Sequence, residues 1–194
     1  MGDTKEPKEG RSEESLRAIM VGGRAPTGGP VVLAEYDPAW PELFRREEAR
    51  IRGALGPTAL LVEHAGSTSV PGLAAKPRID IVLAVPDSGD EPAYVPALER
   101  VGYVLCIREP DWFEHRVFKG PEVDLNLHVF TAGCTEIERM LAFRDRLRAH
   151  AGDRQRYEQA KRSLAARPWR FLQDYADAKT EVIREILAAA ASDG

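Results

Sequence analysis

Two apolar runs separated by a loop of glycines, hydroxyls and cations constrain this chain more than any other feature. Ala59, Leu60, Leu61 and Val62 lead into His64 and stop at Gly66 and Ser67; the second run, Ile79 to Val85, is apolar apart from one carboxylate, Asp80. Short runs of this composition, bounded by turn residues, read as strands. A charge inside such a strand is costly unless something pairs with it or binds it. Between the runs lie Gly66, Ser67, Thr68, Ser69, Gly72, Lys76 and Arg78, which supply hydroxyls, cations and glycines that let backbone NH groups approach a ligand. Such a loop suits a phosphate, with Lys76 and Arg78 as its contacts; Arg78 suits the neutralisation of Asp80 equally well.

The rest of the chain surrounds these strands. Residues 1 to 29, rich in Gly, Glu, Lys, Arg, Ser and Pro, read as a disordered tail with a short apolar patch at Ala18 to Val21. Val31 to Ala34 reads as a short strand. Asp37 and Pro38 then start a helix whose Trp40, Leu43, Phe44, Ile51 and Leu55 recur at helical spacing until Gly56-Pro57 ends it. A short helix is expected around Ala97 to Val101, and strands at Tyr103 to Ile107, Glu114 to Lys119 and Val123 to Phe130, the last two joined through Gly120-Pro121 as an antiparallel hairpin. In the final strand Val123, Leu125, Leu127 and Val129 fall on one face and Asp124, Asn126 and His128 on the other. The second set presents metal-ligand chemistry or simply faces water.

From Thr135 the chain turns helical, with Thr135 and Glu138 spaced as a capping box, a second helix after Gly152, and a third from about Pro168. A mixed sheet followed by helices predicts an α+β fold: a sheet core over about residues 30 to 131 and a helical part over about 135 to 190. The 194 residues, 43% hydrophobic and 30% charged, suit one soluble domain. A net charge of -4 disfavours nucleic acid. Two cysteines without metal spacing, a polar N-terminus and no long apolar run predict a cytoplasmic protein that does not enter membranes.

The stretch from His64 through Gly66-Ser67-Thr68-Ser69 and Lys76-Pro77-Arg78 to Asp80 resembles the signature of the GrpB-like proteins, within the nucleotidyltransferase superfamily that includes DNA polymerase beta, kanamycin nucleotidyltransferase and CCA-adding enzymes. The resemblance runs from Val31 to about Leu187, through His115-Arg116, Leu127-His128-Val129, Phe143-Arg144-Asp145 with Leu147-Arg148, Tyr157 with Lys161, and Tyr175 with Lys179. It implies a nucleotidyltransferase-like sheet, a Gly-Ser pair on the triphosphate and carboxylates on divalent metal, Mg²⁺ or Mn²⁺. Gly66 and Ser67 match the Gly-Ser pair, Asp80 the first carboxylate, and Asp124 is the candidate for the third. Val82 stands where the superfamily has a second carboxylate, so His64 and His128 are candidates to complete a mixed set with Asp80 and Asp124, suited to Mn²⁺, Zn²⁺ or Fe²⁺.

Further candidates for the same pocket are Arg116, on the strand expected to pair with that of Asp124, and Tyr157 with Lys161, one helical turn apart and placed to close over a base and phosphate. A cross-strand ion pair between Arg116 and Asp124 is the alternative there. Three functional expectations follow. One is metal-assisted nucleotidyl transfer to a small-molecule acceptor. Another is a catalytically degenerate module that binds a nucleotide or phosphorylated metabolite. The last is a protein-interaction domain linked to coenzyme A metabolism.

Overall fold

The computed structural model describes residues 12–23 and 28–192. Five strands form one mixed sheet: β1 (Leu61–Ala65), β2 (Ile79–Val85), β3 (Val104–Glu109), β4 (His115–Lys119) and β5 (Leu125–Thr131), in the spatial order β1-β2-β5-β4-β3. β2 and β5 are parallel, and the remaining neighbours are antiparallel. The two strands that flank the phosphate-suited loop therefore lie side by side, and β4 and β5 make the expected hairpin. A run of helices follows the last strand in the chain, so the α+β architecture read from the sequence is the one observed.

Side-chain alternation sorts the sheet into two covered faces. After a short N-terminal helix, α1 (Glu13–Ile19), the main body supplies α2 (Trp40–Leu55) and α3 (Val95–Arg100), against which Ile79, Ile81, Leu83 and Val85 of β2 and Leu125, Leu127 and Val129 of β5 pack. Val82, Ala84 and Phe130 point the other way and pack under α4 (Thr135–Ala149) through Ile137. Leu147, Tyr157 and Ile186 join α4, α5 (Ala151–Ala165) and α7 (Thr180–Ser192), and cover Val70 and Leu73 of the loop. A short α6 (Leu172–Asp177) precedes α7. Because both faces of β2 are covered, its sequence reads as a nearly continuous apolar run. Among the described residues, no helix is long and apolar enough to cross a membrane.

The structure departs from the sequence reading mainly before β1. Within the span read as a disordered tail, Ser12 caps α1 (Glu13–Ile19), its hydroxyl accepting from the Ser15 amide at 3.1 Å. Leu16 is buried and Met20 bridges Ile107 of β3. A helix this short is marginal alone, so the docked apolar patch is what holds it. The other residues of the expected tail, 1–11 and 24–27, lie outside the described residues.

Val31 to Ala34 does not form a strand. Ala34 alone pairs, by a bridge to Ala75, and Val32 is exposed. α2 starts later than Asp37-Pro38 implies, because the Asp37 carboxylate accepts from the Ala39 amide at 2.8 Å and closes the preceding turn. α4 begins at Thr135 but without the capping box: its N-cap is Cys134, and no side chain caps its first turn.

Candidate functional site

Asp80 sits at the start of β2, on the face shared with Val82 but below the apolar cover. Gly66 has φ +66°, and a Cβ there would lie 2.4 Å from Asp80 Oδ2, so only glycine lets the loop backbone close on this carboxylate. Asn126, the register partner of Asp80 on β5, donates from Nδ2 to Oδ1 at 2.9 Å. His128 Nε2 stands 3.7 Å from the same oxygen. Burial works to raise the Asp80 carboxyl, but His128, Asn126 and the Lys179 charge outweigh it and hold it below the ordinary carboxylate range.

Behind Asp80 runs a line of imidazoles. His128 Nδ1 is 3.0 Å from His115 Nε2, with the rings stacked 5.2 Å apart, and His115 Nδ1 is 2.7 Å from Glu109 Oε2. A carboxylate only accepts, so His115 donates from Nδ1 and, when neutral, accepts at Nε2 from His128. That tautomer assignment follows from the bonding pattern. Glu109, His115 and His128 are thus linked by hydrogen bonds, and the run ends 3.7 Å short of Asp80.

Cations gather on the same pole. Lys119 donates from Nζ to Asn126 Oδ1 at 2.5 Å, and Arg78 grips Asp124 through Nε and Nη2 at 2.8 and 3.0 Å. Burial, and then the Arg78 charge, pushes the Lys76 and Lys119 amines down. Buried Lys161 donates to the Ala74 carbonyl and is pushed down to about 7 by burial and then by Lys179, whose own amine lies 4.6 Å over the Tyr175 ring. Tyr157 is buried and pushed up to about 12 chiefly by burial, with Ser67 opposing. With Asp124 taken by Arg78, Lys119 and Lys179 act on Asp80, and Lys76 and Lys161 lie within electrostatic reach of those two lysines.

Other sequence-expected residues fall elsewhere. His64 pairs with Ile81 and so lies on the opposite sheet face from Asp80, stacked on Phe44 at 4.8 Å. Its Nε2 is 3.1 Å from Thr68 Oγ1, and Thr68 in turn donates to the Arg78 carbonyl at 3.2 Å. Burial pushes His64 down to about 4, which keeps it neutral near pH 7. Arg116 pairs with Val129 and also faces away, bonded to Glu91 at 2.7 Å rather than to Asp124.

A divalent ion finds no matching donor set here. Of Asp80, Asp124, His64 and His128, only Asp80 and His128 approach one another, and among the described residues no group of three or more His, Cys, Asp and Glu side chains is placed to hold a metal. Val82 is 0% exposed within an apolar cluster, and the cross-strand partner of Asp80 is an amide. Sequence reasoning missed Asn126, Lys119, His115 and Glu109 as members of the site. Asn126 was visible on the polar face of its strand, whereas Lys119 and His115 needed the hairpin register.

Comparisons with known proteins agree with this architecture. A family model described as GrpB protein matches residues 30–189. A UPF0157 protein of Halalkalibacterium halodurans is 59% identical over 180 residues, covering 93% of this chain and 92% of that protein. The crystal structure of conserved protein GrpB from Enterococcus faecalis matches with a TM-score of 0.70 at 32% identity, over 82% of this chain and 99% of that one. A dephospho-CoA kinase of Mycolicibacterium paratuberculosis is 40% identical over 77 residues, 38% of this chain and 19% of that protein. On the extent of these matches, the chain belongs to the GrpB family.

Proposed function

We propose that this protein binds a phosphorylated small molecule, with nucleotides the first class to test, at the pole where Asp80 meets Lys76, Lys119, Lys161 and Lys179. The observation that carries the reading is the excess of partly buried cations beside a glycine loop, in a chain whose net charge is -4. Ammonium groups that repel one another are stabilised by a bound polyanion, and charge-assisted hydrogen bonds to phosphate are among the stronger polar contacts. Ser67, Thr68 and the backbone at Gly66 would flank the phosphate, and Tyr157 with Lys161 would close the pocket from α5.

Two-metal nucleotidyl transfer does not fit these residues, since Val82 lies in apolar packing, Asp124 is held by Arg78 and the residue opposite Asp80 is an amide, Asn126. A second reading, proton transfer on the bound molecule, is favoured by the hydrogen-bonded run from Glu109 through His115 to His128, which ends beside Asp80. General acid-base catalysis needs such a positioned group. The test is thermal unfolding of the protein with nucleotides and coenzyme A precursors, because a ligand of the native state raises the midpoint. A rise with one of them that is lost in Lys76→Met and Lys119→Met supports the site. No rise with any of them removes the proposal.

A further inference from the structure

A cavity of about 470 Å³ lies beside the same loop, lined by neither Asp80 nor the lysines of the proposed site. Its apolar wall includes Tyr36 and Phe44, and Phe44 is backed by the stacked His64 ring. Its polar wall includes Arg144, Arg148 and Arg154. Arg144, only 8% exposed, is fully engaged: Nη1 donates to Glu63 at 2.7 Å and to the His64 carbonyl at 3.0 Å, while Nε and Nη2 donate to Asp145 at 2.7 and 3.1 Å. Arg148 is held differently. Its Nε and Nη2 donate to the Ser69 carbonyl at 3.0 and 2.9 Å, and Asp145 is 3.5 Å from Nη1. Arg154 donates from Nη1 to the Leu147 and Arg148 carbonyls at 3.0 and 3.3 Å.

Carbonyl oxygens orient a guanidinium without cancelling its charge. Glu63 and Asp145 stand against Arg144 and Arg148, Arg45 of the same wall is paired with Glu42, Arg154 is bonded to carbonyls, and burial together with Arg144 pushes the Arg148 guanidinium down. Fixed, undercompensated guanidiniums match the bidentate geometry of phosphate. Aromatic walls suit a flat ring, and the volume is within the range of small-molecule sites.

We infer that this cavity is a second ligand site, taking a phosphate monoester that carries a planar ring, with the ring against Tyr36 and Phe44 and the phosphate on Arg148 and Arg154. The inference is independent of the reading of the Asp80 pole, and different variants test it. Calorimetric titration of the full chain with the four common nucleoside 5′-monophosphates, ribose 5-phosphate and adenosine is the experiment. In a Lys76→Met/Lys119→Met background, which silences the Asp80 pole, the expected result is saturable binding of a monophosphate, weakened tenfold or more when Arg148→Met or Arg154→Met is added. Phe44→Leu should weaken the nucleotide but not ribose 5-phosphate, and adenosine should not bind detectably.

If Arg148→Met fails to fold, Arg154→Met decides, since its bonds here are to carbonyls alone. Unchanged affinity when Arg154→Met is added to that background and folds overturns the site. So does loss of binding in the Lys76→Met/Lys119→Met background itself, or no saturable binding of any monophosphate at millimolar concentration.

Discussion

Gly66 and Asp80 approach so closely that one added methyl group would collide: a Cβ on Gly66 falls 2.4 Å from Asp80 Oδ2. The glycine also has φ +66° and ψ -173°, a region that other residues enter only under strain of about 1–3 kcal/mol. Gly72 has φ +75° but open space around its Cβ position. Gly66→Ala should therefore lower the melting temperature clearly more than Gly72→Ala, at roughly 2–4 °C per kcal/mol for a chain of this size. Equal shifts in differential scanning calorimetry would show that the contact with Asp80 carries no cost.

A second pair of residues controls core stability. The Tyr103 hydroxyl donates to Glu47 Oε2 at 2.5 Å with both side chains buried, and among the described residues Glu47 Oε1 has no hydrogen-bond partner. Tyr103→Phe leaves a buried carboxylate with neither oxygen satisfied by the ring. The expected loss is about 1–3 kcal/mol or more in urea unfolding. Adding Glu47→Leu should recover most of it, because replacing both partners by apolar groups removes the unsatisfied acceptor.

His64 gives the protein an acid limit. Its folded value is about 4 against an ordinary 6.5, with burial the main cause, the Asp80 charge opposing, and Arg148 and Arg144 reinforcing. The unfolded state binds the proton more readily, so stability is full above about pH 6.5 and falls as the pH drops toward 4. The loss approaches about 3 kcal/mol, from 1.36 kcal/mol per pH unit of difference. Urea midpoints measured from pH 7 to 4.5 should show this slope in the parent and a flatter one in His64→Gln.

Val82→Asp places a second carboxylate two residues after Asp80. In this chain Val82 is 0% exposed and packs with Ala84, Phe130 and Ile137. An unpaired carboxylate there should cost several kcal/mol, through desolvation and lost packing. The folded fraction by circular dichroism should fall sharply, with no rescue by Mg²⁺ or Mn²⁺. A folded, metal-stabilised variant would restore the two-metal reading.

The strands were legible because β2 is a short, nearly continuous apolar run and period-two patterning is strong in β5, and the glycine loop was legible because Gly66, Ser67 and Asp80 lie within one short span. Register was not. Alternation places Asp124 and Asn126 on one face, yet only the pairing of β2 with β5 decides that Asn126 meets Asp80 while Asp124 is drawn off by Arg78. His64 looked like a partner of Asp80 for the same reason: both border the loop. The antiparallel register of β1 and β2 sends it to the opposite face. α1 escaped notice because a seven-residue helix has too little periodicity to show, and its stability comes from contacts distant in sequence.

Those contacts have a consequence for how molecules of this protein behave toward one another. β3 is the last strand of its sheet, with Val104 43% exposed, and the bridge from Met20 to Ile107 occupies part of its outer side. An outermost strand left bare offers unpaired NH and CO groups to any passing chain, the usual route to intermolecular β-pairing and aggregation. The N-terminal segment blocks that route at Ile107, so its docking guards solubility as well as fold.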